Sequence, residues 1–373
     1  MTGNKVAAAI VTYNRLELLK ESLAAVLGQT DYLSHVIVIN NMSNDGTKEY
    51  LDSLNDERLV VVHSTENLGG AGGFNKAVRF FAEETDDDFV WLMDDDTIAQ
   101  PETLKYLVDF AHAHAPVGFV NSAVRWGSVN GRPSWMNVNG PRVFSYPMYL
   151  ADVENPGIEV VNSSFVSVLI PREMVAMVGL PQKEYFIWGD DIEYTNRIAD
   201  IYRGYTAAKS LVVHKSKENT MPGDVVREED SNRLWRYEYE FRNRLLTARR
   251  VRRREFMDLA INSFRFDLRA VLFNKGVKFR LKKAGMIIRG TVRGLRFNPE
   301  VEYAKGLREF DVRSINKLMK ARYLSDPDTR ITLDEEMDII ENGKLSDFQG
   351  KTQRADKFLA EVEADLIKKR NKK

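Results

Sequence analysis

FVWLMDDDTI, residues 89–98, is the stretch around which this chain is organised. An apolar run that favours β-structure ends in three consecutive carboxylates, Asp94, Asp95 and Asp96. This pattern is typical of a buried strand that delivers charge to the edge of a sheet. Adjacent like charges raise one another's pKa, and a hard divalent cation such as Mg²⁺ or Mn²⁺ would keep them ionised. The alternative is a solvated acidic turn that caps a helix beginning near Pro101.

Strand and helix patterns alternate through the first hundred residues. In chain order they predict a strand, a helix, a strand, a short helix, a strand, a helix and a strand, at Val6–Thr12, Leu16–Leu27, His35–Asn40, Thr47–Leu54, Leu59–His63, Ala71–Glu84 and Phe89–Met93. This order predicts an α/β fold with a doubly wound sheet that is parallel across these strands. Ligands of such sheets bind at the carboxyl ends of the strands. We therefore expect four polar loops, 12–15, 40–46, 66–73 and 94–96, to converge there and favour a nucleotide site.

A glycine-rich stretch, NLGGAGGFNKA at 67–77, precedes the third predicted helix. Its glycines would let the backbone approach a ligand and would point a helix N-terminus at the site. No Gly-Lys-Ser/Thr follows, which excludes a P-loop, and the position after the third strand excludes the dinucleotide fingerprint. A flexible helix entry is the simpler interpretation of the glycines alone.

Composition limits the class of protein. The chain has 373 residues, 43% of them hydrophobic, which is enough for one large domain and a smaller one. It has no cysteine, so disulfides, thiolate metal sites and cysteine nucleophiles are excluded. No stretch reaches the roughly 20 apolar residues of a membrane helix, and the N-terminal apolar run is too short for a signal peptide. We expect a soluble or peripheral protein.

Charge is unevenly distributed along the chain. Residues 1–226 carry 18 Lys+Arg against 30 Asp+Glu, whereas residues 227–300 carry 20 against 9. The second block mixes arginine, leucine and aromatic residues at helical spacing and predicts a basic, mainly helical C-terminal region over 227–373. Its arginines either pair with the acidic half or attract anionic lipid. Nucleic acid is a less favoured partner. The charged tail after Lys351 is helix-prone.

Four motifs together resemble family-2 glycosyltransferases with the GT-A fold. They are VTYNR at 11–15, NNMSNDGT at 40–47, NLGGAGGFNKA at 67–77 and WLMDDDT at 91–97. Their order and spacing both agree with the family over about residues 5–220. The resemblance implies a catalytic domain over 1–226 with a GT-A-like doubly wound mixed sheet. One departure is that many members have Asp-Asp where this chain has Asn40-Asn41.

The resemblance also implies roles for individual residues of the donor site. Those bordering the nucleotide or contacting its ribose and diphosphate would be Thr12, Tyr13, Arg15, Asn41, Gly72, Gly73, Asp94 and Asp95. Asp94 and Asp96 would hold the metal. His214 ends a predicted strand, where a lone histidine is usually structural. In the galactofuranosyltransferase branch, however, a histidine at the matching place completes the metal site.

EYFIWGDDIEYTNR, residues 184–197, is a second candidate centre of chemistry. Asp190, with Glu193 three residues later, predicts an acidic capping box that begins a helix. Asp191 then lies in the first turn, where the helix dipole would lower its pKa and keep it anionic, as a general base must be. The resemblance also favours Asp191 as the base, with Asp190 the alternate. Trp188 is a candidate platform for the acceptor, and Trp126 and Trp135 are either sugar-stacking or structural aromatics.

These features predict an inverting, metal-dependent hexosyltransferase with Mg²⁺ or Mn²⁺ as cofactor. The best expected donor is UDP-galactofuranose, with dTDP-rhamnose the alternative. The acceptor would be a lipid-linked or cell-surface polysaccharide, reached from the cytoplasm at the inner face of the membrane, and a homo-oligomer is possible. The alternative class is a non-catalytic nucleotide-sugar-binding scaffold on the same fold. Intact metal and base candidates favour the enzyme.

Overall fold

The computed structural model describes residues 5–137, 139–141, 154–219, 224–251, 255–313, 315–316 and the single residues 360, 362, 364 and 368. A nine-stranded sheet dominates the described chain. Its strands are β1 Val6–Thr12, β2 Leu33–Asn40, β3 Leu59–His63, β4 Phe89–Asp94, β5 Thr97–Ala99, β6 Phe119–Trp126, β7 Gly157–Val160, β8 Val168–Pro171 and β9 Gly204–His214. The predicted tail after Lys351 lies outside the described residues apart from those four.

Helices cover both faces of the sheet and continue beyond it. They are α1 Leu16–Leu27, α2 Thr47–Ser53, α3 Gly69–Glu84, α4 Thr103–Ala113, α5 Arg172–Val178, α6 Asp190–Ala199, α7 Arg236–Val251, α8 Glu255–Asn262, α9 Arg269–Phe273 and α10 Arg280–Arg296. A π-helical segment, Ser263–Leu268, joins α8 to α9. Within the described residues, none of these helices is both long and apolar enough to cross a membrane.

The strand order is β3-β2-β1-β4-β8-β6-β9-β5, with β7 on the outside of β9. The pairs among β3, β2, β1 and β4 are all parallel, as the alternating sequence predicts. Beyond β4 the sheet is mixed, because β8 runs antiparallel to both β4 and β6. The α/β fold and the mixed sheet are therefore confirmed, and strands inserted after residue 116 make the sheet mixed.

Two apolar layers, one on each face of the sheet, form the core. One layer packs α3, α5 and α6 on the sheet through residues such as Phe81 and Tyr194. The other packs α1 and α4 on the opposite face through Leu23 and Leu107. Strand side chains alternate between the two layers, as Ala7 and Ala8 do, because successive residues of a strand point to opposite faces.

The basic C-terminal block is helical, as its pattern predicts. Helix α10 crosses α7 at close range, because Gly290 and Gly294 leave no side chain between the helices. A Cβ at Gly290 would lie 2.4 Å from the carbonyl oxygen of Glu238. The following segment returns to the sheet domain, where Glu302 pairs with Arg79 at 2.9 Å. The boundary at residue 226 stays a prediction.

Candidate active site

The acidic triplet lies where β4 ends, at the carboxyl edge of the parallel strands. Asp94 is the last residue of β4, and Asp95 and Asp96 form the turn into β5. Strand β5 pairs with the end of β9, with Thr97 opposite His214. Strand β5 thereby brings His214, which lies 118 positions after Asp96 in the sequence, beside the acidic turn.

Asp95 is bound by the first loop of the domain. Its carboxylate accepts a hydrogen bond from Thr12 Oγ1 at 2.8 Å and one from Arg15 Nη1 at 3.1 Å. Arg15 also donates to Asp96 Oδ2 at 2.7 Å, and about half of the Arg15 side chain remains exposed. Asp95 therefore holds the β1 loop against the acidic turn, while the exposed part of Arg15 faces the open edge.

Asp94, Asp96 and His214 form a candidate metal site. Each offers one ligand atom, and these atoms all lie within 4.8 Å of one another. Asp96 Oδ1 is buried without a hydrogen bond, although His214 Nε2 lies 3.1 Å away. A buried carboxylate oxygen without a donor is costly, and a divalent cation would satisfy it. The donor set of two carboxylates and one imidazole therefore fits Mg²⁺ or Mn²⁺.

The imidazole of His214 is oriented by Asn137. Its Nδ1 lies 2.9 Å from Asn137 Oδ1, while Asn137 Nδ2 donates to Ser164 Oγ at 2.7 Å. An amide oxygen only accepts, so this assignment of the amide places the His214 proton on Nδ1. Nε2 then offers its lone pair towards Asp96, as a metal ligand must. No sequence motif singles out Asn137, which lies 77 residues from His214.

Burial makes the three carboxyl groups electrostatically unequal. It raises the pKa of Asp94 to about 7, and the charge of Asp96 raises it in the same direction. Burial also raises the pKa of Asp95 to about 6 against the opposing effect of Arg15. In the absence of a cation, the pKa of Asp96 is held below its ordinary value, because protonated His214 and the charge of Arg15 together outweigh burial. A bound cation would offset the cost of ionising Asp94.

The other residues assigned to the nucleotide lie around this edge in different environments. Thr12 is buried, while Tyr13 is 43% exposed. Asn41 is buried and fully engaged, since its side chain accepts from the Leu68 amide and donates to the carbonyl of Gly69. Asn41 therefore joins the β2 loop to the start of α3. Its contact with a pyrimidine stays a prediction.

The glycine-rich stretch packs against the protein itself. Helix α3 begins at Gly69, two residues earlier than predicted, and Gly72 and Gly73 lie inside its first turns. Gly69 has φ +69°, and a Cβ there would lie 2.1 Å from the Phe186 carbonyl oxygen. A Cβ at Gly73 would lie 2.4 Å from Val11. Packing accounts for these glycines, and a ligand role for Gly72 and Gly73 stays a prediction.

The second acidic pair begins α6, but the predicted capping box is wrong. The N-cap residue is Gly189, with φ +88°, instead of the expected Asp190. Gly189 has no side chain, so no side-chain hydrogen bond caps the helix. Glu193 forms ion pairs with Arg197 at 2.7 Å and Arg250 at 2.8 Å. Asp190 and Asp191 therefore both lie in the first helical turn, as predicted for Asp191 alone.

The predicted direction of the Asp191 pKa is also wrong. Burial raises it to about 6, against hydrogen bonds from backbone amides that include Ile192 N at 2.7 Å. Burial raises the pKa of Asp190 well above its ordinary value, and the charge of Asp191 adds to this shift. Desolvation outweighs the helix dipole at these positions. Asp191 still ionises near neutral pH, as a base requires.

Helix α7 holds the loop that leads to Asp191, a contact that sequence reasoning missed. The buried Asn243 amide donates to the carbonyl oxygens of Tyr185, Ile187 and Trp188 at 3.0, 3.0 and 2.9 Å. Arg242 binds the Glu184 carbonyl at 2.6 Å. Phe186 and Trp188 have φ values of +63° and +65°. These contacts fix a loop with two residues of positive φ, in which three backbone carbonyl oxygens accept hydrogen bonds from the Asn243 side chain.

The three candidate tryptophans differ in surroundings. Trp188 is half-buried and meets Tyr237 edge to face, with ring centroids 5.3 Å apart. Trp126 ends β6 and donates to the Ser216 carbonyl at 2.9 Å. Trp135 is 47% exposed and lines, with Trp126, an open cavity of about 470 Å³. Trp188 is thus engaged by α7, and its acceptor role stays a prediction.

Comparison with known proteins agrees with this arrangement. Residues 8–173 match the family model described as glycosyl transferase family 2. The matched segment, somewhat under half of the chain, is similar to glycosyltransferase family 2. The matched residues contain most of β1, all of β4 and the acidic triplet. The base candidates and His214 follow this segment.

Curated proteins to which the chain is similar include galactofuranosyltransferases. GlfT1 of Mycolicibacterium smegmatis is 29% identical over 212 residues, which cover 52% of this chain and 65% of the relative. GlfT1 of Mycobacterium tuberculosis is 27% identical over 209 residues, covering 52% and 64%. The chain thus spans somewhat under two thirds of these relatives.

A solved structure shows the same fold. It is a crystal structure of GalNAc-T7 with UDP, GalNAc and Mn²⁺, which aligns with a TM-score of 0.54 and 16% identity. The alignment covers 76% of this chain and 54% of the other. This likeness and the mixed sheet confirm the GT-A-like fold.

Proposed function

We propose that this protein is an inverting, metal-dependent glycosyltransferase that uses a nucleotide-sugar donor. The observation that supports this most is the convergence of Asp94, Asp96 and His214 within 4.8 Å at the carboxyl edge of the sheet. The buried carboxylate oxygen of Asp96 makes the cluster costly in the absence of a cation. That oxygen has the chemistry of a metal ligand.

The donor side of the reaction belongs to the β4 turn and the first loop. A divalent cation held by Asp94, Asp96 and His214 would supply positive charge to the departing diphosphate. Arg15 is fixed at 2.7 Å from Asp96, and the exposed part of its side chain adds a second positive charge at the same edge. Asp95 accepts hydrogen bonds from both Thr12 and Arg15 and so holds Arg15 in place, and contacts of Thr12 and Asp95 with the donor stay predictions.

The acceptor side belongs to Asp191. Its carboxylate takes the proton of the acceptor hydroxyl while that oxygen forms the new bond to the anomeric carbon. The bond between that carbon and the diphosphate breaks, and its electron pair leaves with the diphosphate. Attack from the face opposite the leaving group inverts the anomeric configuration. Burial, which raises the pKa of Asp191 to about 6, makes the carboxylate a stronger base.

The proposed donor is UDP-galactofuranose, and dTDP-rhamnose is the alternative. The two GlfT1 relatives carry galactofuranosyltransferase in their names, which supports the first choice. The proposed acceptor is a lipid-linked or polysaccharide glycan. A relative of shorter match, the TuaG protein of Bacillus subtilis, is named as a putative teichuronic acid biosynthesis glycosyltransferase, and it is 29% identical over 114 residues.

A non-catalytic nucleotide-sugar-binding scaffold is the alternative from another class. Such a protein has no need of a carboxylate at Asp191, because an acceptor base is useless without transfer. Withdrawing a carboxylate even partly from water costs stability. The retained Asp191 therefore favours the enzyme.

A donor-hydrolysis and transfer screen tests the proposal. The purified chain is incubated with a panel of UDP- and dTDP-sugars in Mn²⁺, in Mg²⁺ and in excess chelator, and released nucleoside diphosphate is measured. We expect turnover of one donor that chelation abolishes and metal restores. Full activity in chelator overturns metal dependence. Metal-dependent binding of the diphosphate without any turnover, with acceptor glycans present, supports the scaffold.

A further inference from the structure

We propose that the outer face of α8, the π-helical segment, α9 and α10 docks on an anionic lipid bilayer. This surface is called the docking face below, and it comprises exposed residues between 255 and 296. The proposal rests on the proposed function, since it places the active site where a lipid-linked acceptor would be presented.

Large apolar side chains are exposed on the docking face to an unusual degree. From residue 224 onwards, eleven large apolar side chains other than Tyr303 are more than a third exposed in the described chain. They are Trp235, Met257, Ile261, Phe264, Phe266, Phe273, Phe279, Leu281, Ile288, Val292 and Leu295. All but Trp235 lie between 255 and 296. Leu281 is 85% exposed and Phe273 75%. Large apolar patches are rarely exposed on soluble proteins without a partner.

Helix α10 shows how this surface is built. Its buried residues, such as Ile287 and Thr291, pack against α7. A second apolar stripe, formed by Leu281, Ile288, Val292 and Leu295, recurs at helical spacing and is exposed. The helix is therefore apolar on two adjacent sides, and only one of them is buried by the protein.

Basic residues surround the apolar side chains. Residues 255–296 carry 10 Lys+Arg against 3 Asp+Glu. Arg269, Lys275 and Arg296 are exposed and form no ion pair within the part of the chain that the structure describes. Exposed phenylalanine and leucine beside unpaired basic residues are the pattern of a helix that lies in a membrane interface. Each such basic residue near an anionic bilayer raises the affinity of the protein for the bilayer roughly fivefold.

Charge distinguishes a bilayer from other occupants. A second copy docked face to face would bring two basic surfaces together, which is repulsive. An anionic bilayer supplies both negative charge and an apolar interior, and it therefore complements both features of the face. A second copy docked through its acidic half is a further occupant, and light scattering separates it from a bilayer.

Vesicle binding by the full chain tests the docking face. Cosedimentation is measured with phosphatidylcholine vesicles and with vesicles containing phosphatidylglycerol, at low and at physiological salt. We expect binding to the anionic vesicles alone, weakened by salt because the charge attraction is screened over about 10 Å at 0.1 M. Absence of binding at low salt overturns the proposal.

Variants at exposed positions locate the contact. The pair Phe273→Ser and Leu281→Ser removes two side chains that contribute little to the fold, and we expect at least a tenfold loss of vesicle binding. Arg269→Gln with Lys275→Gln should lose binding by a similar factor and reduce its salt dependence. The matched controls are Ile158→Ser, exposed on β7, and Lys48→Gln, exposed on α2. Equal losses in the controls would contradict the proposed location.

Two further readouts separate the competing explanations. Molar mass by light scattering should not change in the Phe273→Ser/Leu281→Ser variant, whereas conversion of a dimer to a monomer would assign the face to a second copy and overturn the proposal. Donor hydrolysis in solution should stay at the wild-type level in this variant. Loss of vesicle binding by this variant with retained donor hydrolysis supports docking. Vesicle binding by a wild-type chain that hydrolyses no donor refutes the proposed function and leaves the docking face supported.

Discussion

The amide nitrogen of Asn243 lies 2.9 Å from the carbonyl oxygen of Trp188, across 55 residues of sequence. The same nitrogen reaches the carbonyls of Tyr185 and Ile187 at 3.0 Å each. One buried side chain of the C-terminal helices therefore fixes the backbone that precedes Gly189 and Asp191. The sheet domain therefore depends on the helical block for the position of Asp191, the proposed base.

Asn243→Leu should remove this support and lower the turnover rate more than the donor affinity. The variant leaves buried carbonyl oxygens without a donor, at a cost of about 1–3 kcal/mol each in stability. Thr247→Ala is the matched control, because Thr247 lies one turn further along α7 and contacts the Tyr185 hydroxyl at 2.8 Å rather than the loop carbonyls. Transfer kinetics and nucleotide affinity are measured for both. Equal effects on turnover in the two variants would contradict a specific role for Asn243.

Asn137→Leu should weaken metal binding by roughly 10–100-fold, the range for loss of a residue that orients a metal ligand. Without Asn137, Nδ1 of His214 loses its acceptor, and the tautomer with a free Nε2 is no longer favoured. The measurement is Mn²⁺ affinity by calorimetry with nucleoside diphosphate present. The control is Asn75→Ala, whose buried amide binds the Pro181 carbonyl at 2.7 Å away from the metal ligands. Unchanged Mn²⁺ affinity in Asn137→Leu would refute this role.

The pH dependence of the turnover rate should show an acid limb near pH 6. Burial raises the pKa of Asp191 to about 6 from an ordinary value of 3.8, and the charge of Glu240 adds to this shift. A base works only when deprotonated, so the rate should fall about tenfold per pH unit below that pKa and level off above it. Glu240→Gln should move the limb to lower pH. A limb near pH 4 in the wild-type chain would contradict the burial argument.

The sequence predicts the parallel part of the sheet, β3-β2-β1-β4, and the acidic turn at its edge well, for physical reasons. Buried parallel strands such as β1 and β4 are continuous apolar runs, and the polar residues that follow them must lie at one edge. The bounds of β1, α1 and β3 agree with the structure at every residue. Asp94, Asp96 and His214 come together as the family resemblance implied.

The remaining features depend on contacts between distant residues. Asn137 and Asn243 are ordinary polar residues in sequence, and only tertiary structure brings them to His214 and Trp188. The cap of α6 was assigned to Asp190 because aspartate favours that position, yet the left-handed Gly189 occupies it. The helix dipole can be read from the local sequence, and it predicts a lowered pKa for Asp191. The burial that raises this pKa depends on how α7 and the sheet pack around Asp191, which the local sequence does not show.

The most direct test of the account compares Asp191→Asn with the wild-type chain in donor affinity and in single-turnover transfer. Asparagine keeps the size of the side chain but cannot accept the acceptor's proton. We predict nucleotide-sugar affinity within about twofold of wild type and a transfer rate lower by something like 10²–10⁴. Asp190→Asn, one position earlier, is the matched control for the neighbouring carboxylate. Near-wild-type transfer by Asp191→Asn, with loss of transfer in Asp190→Asn, would contradict Asp191 as the base.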